Sequence, residues 1–210
     1  MEHEMNQSPA THNAPQTGFD PFSHQTYTVR SDFLNFWHRK FRILDPSDKM
    51  VLYVEMKALK LKEDIRVYSD DTKSKEIMLI KARQMLDISA AYDVVDAATG
   101  QKVGALKRAG LKSTFIRDEW SILDVNDQPF GKIEEDSMVM ALIRRFLVKI
   151  IPQGFTVEVN GQPIAEFKQS WNPFVLKLML DFSGDPNFTL DRRLGIAAAI
   201  LLNAIEGRQE

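Results

Sequence analysis

Leu194-Gly195-Ile196-Ala197-Ala198-Ala199-Ile200-Leu201-Leu202 is a run of nine positions without a polar side chain, near the end of a 210-residue chain that elsewhere alternates like strand. A helix apolar on all sides has to be enclosed, by a protein core or by a bilayer. Thr189 or Asp191 is placed to cap it, and a carboxylate there suits the positive end of the helix dipole. Arg192 and Arg193 suit that end poorly and are expected to point outward to a partner. The run continues through Asn203, Ala204 and Ile205, and Gly207 is suited to the left-handed terminator. Residues 190–206 make roughly 25 Å of helix at ~1.5 Å per residue, while a membrane span wants ~20 predominantly apolar residues. Only Leu194 to Ile205 is free of charge. The segment is expected inside a protein core.

The composition bounds the rest. Apolar residues make up 44% and charged residues 27%, the balance of an ordinary globular domain. With 27 Lys and Arg against 29 Asp and Glu, the formal net charge is −2. That argues against bulk nucleic-acid binding, which needs a basic surplus. The chain has no cysteine. Disulfides, thiolate metal sites, cysteine nucleophiles and palmitoylation are therefore excluded, and a reducing compartment suits it. No apolar stretch follows a basic region near Met1, so no secretory signal is read and a cytoplasmic location is expected.

Residues 1–23 are rich in Pro, Gln, Asn, Thr and Ser, with almost nothing to bury; they read as a disordered tail. Residues 24–210 read as one domain. Within it a unit recurs: aromatic, any residue, two aliphatics, Asp, a short polar turn, another apolar strand. It appears as Phe41-Arg42-Ile43-Leu44-Asp45, Tyr92-Asp93-Val94-Val95-Asp96 and Trp120-Ser121-Ile122-Leu123-Asp124, and more loosely as Phe155-Thr156-Val157-Glu158-Val159. The copies close on Pro46-Ser47-Asp48, Ala98-Thr99-Gly100, Asn126-Asp127 and Asn160-Gly161, all turn-forming sequences. Asn-Gly is the strongest hairpin signal among them. Further strands are expected at residues 51–61, 64–68, 76–83, 102–107, 112–117, 130–133, 164–169 and 175–180.

One segment has a different period. Met138, Val139, Leu142, Ile143, Phe146, Leu147 and Ile150 recur at helical spacing, with Glu134, Glu135 and Asp136 before them and Arg144, Arg145 and Lys149 toward the end. About a dozen antiparallel strands are enough to close, and a barrel of that size needs a filler. The expected fold is mainly β: a closed antiparallel barrel of about twelve strands around a central C-terminal hydrophobic helix, residues 190–206, with one extra amphipathic helix midway.

Residues 92–104, YDVVDAATGQKVG, together with Asp118-Glu119-Trp120-Ser121-Ile122-Leu123-Asp124, Gly131-Lys132-Ile133 and Leu190-Asp191-Arg192-Arg193-Leu194, resemble the LURP-one-related and phospholipid scramblase families of the tubby-like superfamily. The resemblance runs over most of residues 24–207. It implies a twelve-stranded barrel around a hydrophobic helix. It also implies a range of behaviours: tubby relatives bind phosphoinositides, scramblases are associated with calcium and lipid movement, and many LURP-one-related proteins have no assigned activity.

Two clusters are candidates for binding. Lys102, Lys107, Arg108, Lys112 and Arg117 crowd a hairpin whose turn is read as Ala109-Gly110. A two-residue turn sets Lys107 opposite Lys112 and Lys102 opposite Arg117. Like charges facing each other are destabilising, so a bound anion such as a phospholipid headgroup would relieve them. The alternative is a solvated edge that resists aggregation by its charge. Asp181, Asp185 and Asp191, with Ser183 and Asn187, offer oxygen ligands before the terminal helix, where the resemblance implies a calcium segment. Their spacing departs from the twelve-residue calcium loop, and a polar loop with a helix cap accounts for them. No metal site and no cofactor is therefore expected.

No catalytic constellation is found. His38 lies in an apolar packing segment, no G-x-S-x-G accompanies it, and there is no phosphate-binding or dinucleotide glycine loop. Glu134 and Glu135 fit helix capping better than glycoside chemistry, and Trp37, Trp120 and Trp171 read as packing residues. The expected function is non-catalytic: peripheral binding of anionic phospholipid headgroups at a membrane surface, or of a protein partner, without nucleic acid. Two rival readings are a scramblase-type phospholipid transporter anchored by residues 190–206 and a pure protein-interaction module.

Overall fold

The computed structural model describes residues 20–32, 38–57, 64–83, 90–108, 119–136, 153–170 and 175–206. They form β1 (Thr26–Asp32), β2 (His38–Leu44), β3 (Met50–Lys57), β4 (Ile65–Tyr68), β5 (Glu76–Ala82), β6 (Ala91–Asp96), β7 (Lys102–Arg108), β8 (Glu119–Leu123), β9 (Pro129–Glu135), β10 (Gly154–Val159), β11 (Gln162–Ser170), β12 (Val175–Asp181) and α1 (Arg192–Glu206). Each strand pairs antiparallel with its neighbours in sequence, and β1 pairs with β12 to close a twelve-stranded barrel. The expected closed antiparallel barrel of about twelve strands around a C-terminal helix is observed.

The recurrent Asp explains itself at one end of this barrel. Asp45 Oδ1 accepts the amides of Ser47 and Lys49 at 2.8 and 3.0 Å, and Asp96 Oδ1 accepts those of Ala98 and Thr99 at 2.9 Å each. Asp124 Oδ1 likewise accepts the amides of Asn126 and Gln128 at 2.8 Å each. Each carboxylate satisfies turn donors that the sheet leaves unpaired, which is why short polar acids end strands. Left-handed residues complete the turns: Asp48, Lys73, Gly100 and Asp127, with Asn160 and Gly161 both at positive φ in the β10–β11 turn. Two consecutive positive φ angles are what a mirror-image type I hairpin turn requires. Among the described residues, the five hairpins whose turns are described each carry a register shift just before the turn, at Ile43/Leu44, Val67/Tyr68, Val94/Val95, Val157/Glu158 and Ile122/Leu123. Such bulges strengthen the local twist and help a sheet curl shut.

The aromatic and the first aliphatic of each repeat face inward. Phe41, Ile43, Tyr92, Val94, Trp120, Ile122, Phe155 and Val157 are all buried, and the Tyr92 and Trp120 rings lie 6.1 Å apart. β1 is the strand that the repeat does not signal. Tyr27 and Val29 alternate inward along it.

α1 fills the lumen. Every residue from Leu194 to Ala204 is buried, so the helix has no solvent-facing side. Each enclosed Leu or Ile contributes about 1.5–3 kcal/mol relative to exposure. Both ends are closed by charge of the sign the dipole favours. Asp191 caps the start, its Oδ1 accepting the Arg193 amide at 2.9 Å. At the other end Arg39 of β2 donates from Nη1 to the carbonyls of Asn203 and Ala204 at 3.0 and 3.2 Å.

Gly195 sets the helix against the loop that precedes it. A Cβ there would lie 2.6 Å from Phe182 Cζ, and Phe182 is itself fully buried. Gly195→Ala is expected to cost about 1–3 kcal/mol by overpacking, measured as a lower urea midpoint with unchanged slope.

Parts of the expectation fall outside the described residues: the midway amphipathic helix and the strand at 112–117. Glu134 and Glu135 end β9, with Glu135 buried, and the helix they were expected to precede lies outside the described residues. No helix of the described residues is long and apolar enough to cross a membrane.

Candidate anion-binding surface

Outward-facing charges on this barrel are sorted by the register. Lys102, at the start of β7, stands 2.6 Å from Asp127 and 3.4 Å from Asp93, and Arg83 reaches the same two carboxylates at 2.5 Å each. Burial works to raise the Asp93 pKa, but Arg83 and Lys102 outweigh it and hold the carboxyl below its usual value. Lys102 is thus part of a four-membered ion network that ties β5, β6 and β7 to the β8–β9 turn.

Lys107 and Arg108 lie at the far end of the same strand. Lys107 is exposed, opposite Ala91 on one side and Ser121 on the other, and Arg108 is half-buried opposite Trp120. The expected hairpin register is therefore not formed. Lys107 faces Ser121 instead of Lys112, because β8 begins at Glu119 and no two-residue turn joins it to β7. Lys112 and Arg117 lie outside the described residues.

Register also brings together three cations that sequence reasoning missed. Arg30 of β1 stands opposite Lys177 of β12 on one side and Arg42 of β2 on the other. They come from opposite ends of the chain, so no local pattern announces them. The available signal is weak: each is a basic residue at a polar position of an alternating strand.

Over the start of α1 the turn end opens into a cleft of about 620 Å³, lined by Asp20, Phe22, Ser23, Asp96, Phe188, Thr189, Asp191, Arg192 and Arg193. The two arginines do not point outward to a partner, as their position in the sequence led one to expect. Arg192 is 1% exposed. Its Nη1 donates to Asp185 Oδ2 at 2.7 Å and to the Leu190 carbonyl at 3.0 Å; its Nη2 donates to the Asp185 carbonyl at 2.8 Å and to Gln25 Oε1 at 2.9 Å. The guanidinium lies 4.5 and 4.3 Å from the ring centroids of Phe182 and Phe188. A flat, weakly hydrated cation suits such a slot. Arg193 bridges the helix to the β6–β7 turn, donating to Asp96 at 2.7 Å and to Asp191 at 2.6 Å.

The three acids named as a calcium candidate are held apart by these partners. Asp181 accepts the Ser183 amide at 2.8 Å, Asp185 is taken by Arg192 and the amides of Thr189 and Leu190, and Asp191 is taken by Arg193. Burial tends to raise the Asp185 pKa, yet Arg192 and the two amides turn the balance and hold it below the usual carboxylate value. Among the described residues no three acidic or histidine side chains are grouped to hold a metal ion.

A closed twelve-stranded barrel wound around a buried C-terminal helix defines a filled barrel of the tubby-like kind. A family model described as LURP-one-related matches residues 50–203, and the chain belongs to that family. No curated protein and no solved structure matches it. The matched stretch runs from β3 into α1, so the two strands that complete the closure, β1 and β2, precede it.

Proposed function

We propose that this chain is a non-catalytic, cytoplasmic barrel protein that binds anionic phospholipid headgroups peripherally, through Lys107 and Arg108 with Lys112 and Arg117 of the connection that follows. The observation that carries the reading is the exposure of Lys107 at the end of β7, with the half-buried Arg108 beside it, away from the turns headed by Asp45, Asp70, Asp96 and Asp124. An anionic surface attracts such cations at about 1 kcal/mol each near the surface and less at high salt. Lys102 leaves the set, since two carboxylates already neutralise it. The transporter alternative is weaker. An anchor made of α1 would have to leave the lumen and expose a helix too short to span.

Flotation with liposomes tests the proposal. The protein is expected to float with anionic vesicles at low salt, to be released at high salt, and to ignore neutral vesicles. Lys107→Gln together with Arg108→Gln is expected to weaken flotation about 25-fold, at roughly fivefold per cation. Unchanged flotation of that variant would refute the site, and indifference to every vesicle would refute headgroup binding.

A further inference from the structure

We propose that the cleft over the start of α1 binds a neutral sugar ring, held between the exposed ring of Phe188 and the polar groups of Asp20, Asp191 and Arg192. Phe188 is one of three large apolar side chains left exposed among the described residues, at 44%, and it lines this cleft. Its backbone sits at φ +55°, a left-handed conformation that a bulky residue rarely adopts, and such residues gather at ligand clamps. Its ring rests on the Arg192 guanidinium, 4.3 Å from ring centroid to cation. Phe22, half-buried, adds a second ring to the lining.

Arg192 supplies a second, independent sign. It lines the cleft while only 1% exposed, and its four Nη hydrogens all have acceptors. Its remaining donor, the buried Nε–H, has none. Buried donors without an acceptor are rare in folded proteins, and an oxygen brought by a ligand would satisfy this one. The charges then select the class of ligand. Asp20, Asp96 and Asp191 stand against two guanidiniums and the positive end of α1. Arg193 is already shared by Asp96 and Asp191, and Arg192 is held by Asp185. An anion would meet the acids and a cation the arginines, so a neutral ligand is favoured. Asp20 Oδ1 accepts the Phe22 amide at 2.9 Å, and among the described residues Asp20 has no ion-pair partner. Hydroxyl groups donate to carboxylates and accept from guanidinium N–H groups alike. A pyranose carries such hydroxyls around an apolar C–H face, whose weakly positive hydrogens suit the negative face of a phenyl ring. The volume of about 620 Å³ lies within the ordinary range of small-ligand sites, roughly 300–1,000 Å³.

The test uses the full chain with glucose, galactose and mannose, each free and as its methyl glycoside, at millimolar concentration. At least one is expected to shift the backbone NMR signals of Phe22, Phe188 and Asp191 to Arg193, and to leave those of Lys107 and Arg108 in place. Phe188→Leu keeps an apolar cover over Arg192 but removes the aromatic face; it is expected to weaken binding of that sugar about fivefold. Asp20→Asn keeps an acceptor for the Phe22 amide but removes the charge, and it is expected to weaken binding about fivefold as well. Both variants are expected to keep the cooperative thermal transition of the native chain, which separates a lost contact from a lost fold. Binding of the methyl glycoside as well as the free sugar would mark the ring as the end of a glycan, whereas binding of the free sugar alone would mark it as a free one. Both outcomes support the site. Indifference to every sugar would overturn the proposal, as would shifts that survive both variants or that ethylene glycol reproduces. Methylammonium shifting the same signals where no sugar does would make the cleft a cation site and overturn it too. The Lys107→Gln, Arg108→Gln variant is expected to bind sugar unchanged, so this site and the headgroup site stand or fail separately.

Discussion

Replacing Ala198 with arginine is expected to abolish the folded state. Ala198 is 2% exposed at the middle of α1, with Ala197, Ala199 and Ile200 fully buried beside it. A guanidinium there has neither room nor a carboxylate to meet. An isolated buried charge costs several kcal/mol even after relaxation, and the overpacking adds about 1–3 kcal/mol more. A domain of this kind holds only about 5–15 kcal/mol in all. The variant should collect in the insoluble fraction or lose its cooperative thermal transition in circular dichroism. Ala198→Gly, which tests helix propensity without charge or bulk, should cost about 1 kcal/mol and remain folded. A soluble Ala198→Arg protein with a native transition would place the helix outside the barrel.

The second large effect is expected at the mouth. Arg192→Met leaves Asp185 at 2% exposure without its cation. Breaking one side of a buried pair costs about 3–5 kcal/mol, which for a domain of this size lowers the melting temperature by about 10 °C. Arg192→Met combined with Asp185→Leu should lose less than the sum of the two single changes, because no orphaned charge remains. The pH dependence has a definite sign. Asp185 is held below its ordinary value in the folded chain, so its ionised form favours folding. That contribution is complete above the ordinary carboxylate value of about 4 and is lost as the pH falls through the folded value. The difference between the native chain and Asp185→Asn should therefore shrink on acidification. A gap that stayed constant down to pH 2 would show that the pair's charge is not what stabilises the mouth.

How much of this could be read beforehand differs from residue to residue. Asp45, Asp96 and Asp124 were legible because a turn is a local object: the carboxylate and the amides it accepts lie within four residues of one another. The inward face of each repeat was legible for the same reason, since strand periodicity alternates Phe41 with Arg42 and Trp120 with Ser121. β1 was not, because its residues carry no copy of the recurrent unit. The β7–β8 hairpin was misread where a turn was assumed from Ala109-Gly110, and that assumption carried the facing of Lys107 and Lys112 with it. A register error of this kind moves every cross-strand pair at once.

Arg192 shows the limit most sharply. By its neighbours in sequence it is a cation at the wrong end of a helix dipole, and outward was the reasonable expectation. It is buried because Gln25, before β1, and Phe182, Asp185 and Phe188, in the loop after β12, converge on it from two separate segments. The sequence alone determined most of the strands and their order, the enclosure of residues 194–204 and hence the filled barrel, since those follow from periodicity, turn chemistry and the cost of exposing an apolar helix. Only the tertiary structure decided which charges neutralise one another. Lys102 meets Asp127 across neighbouring strands and Arg30 meets Lys177 across the β1–β12 closure, and such pairing brings together residues whose separation along the chain carries no information about their contact.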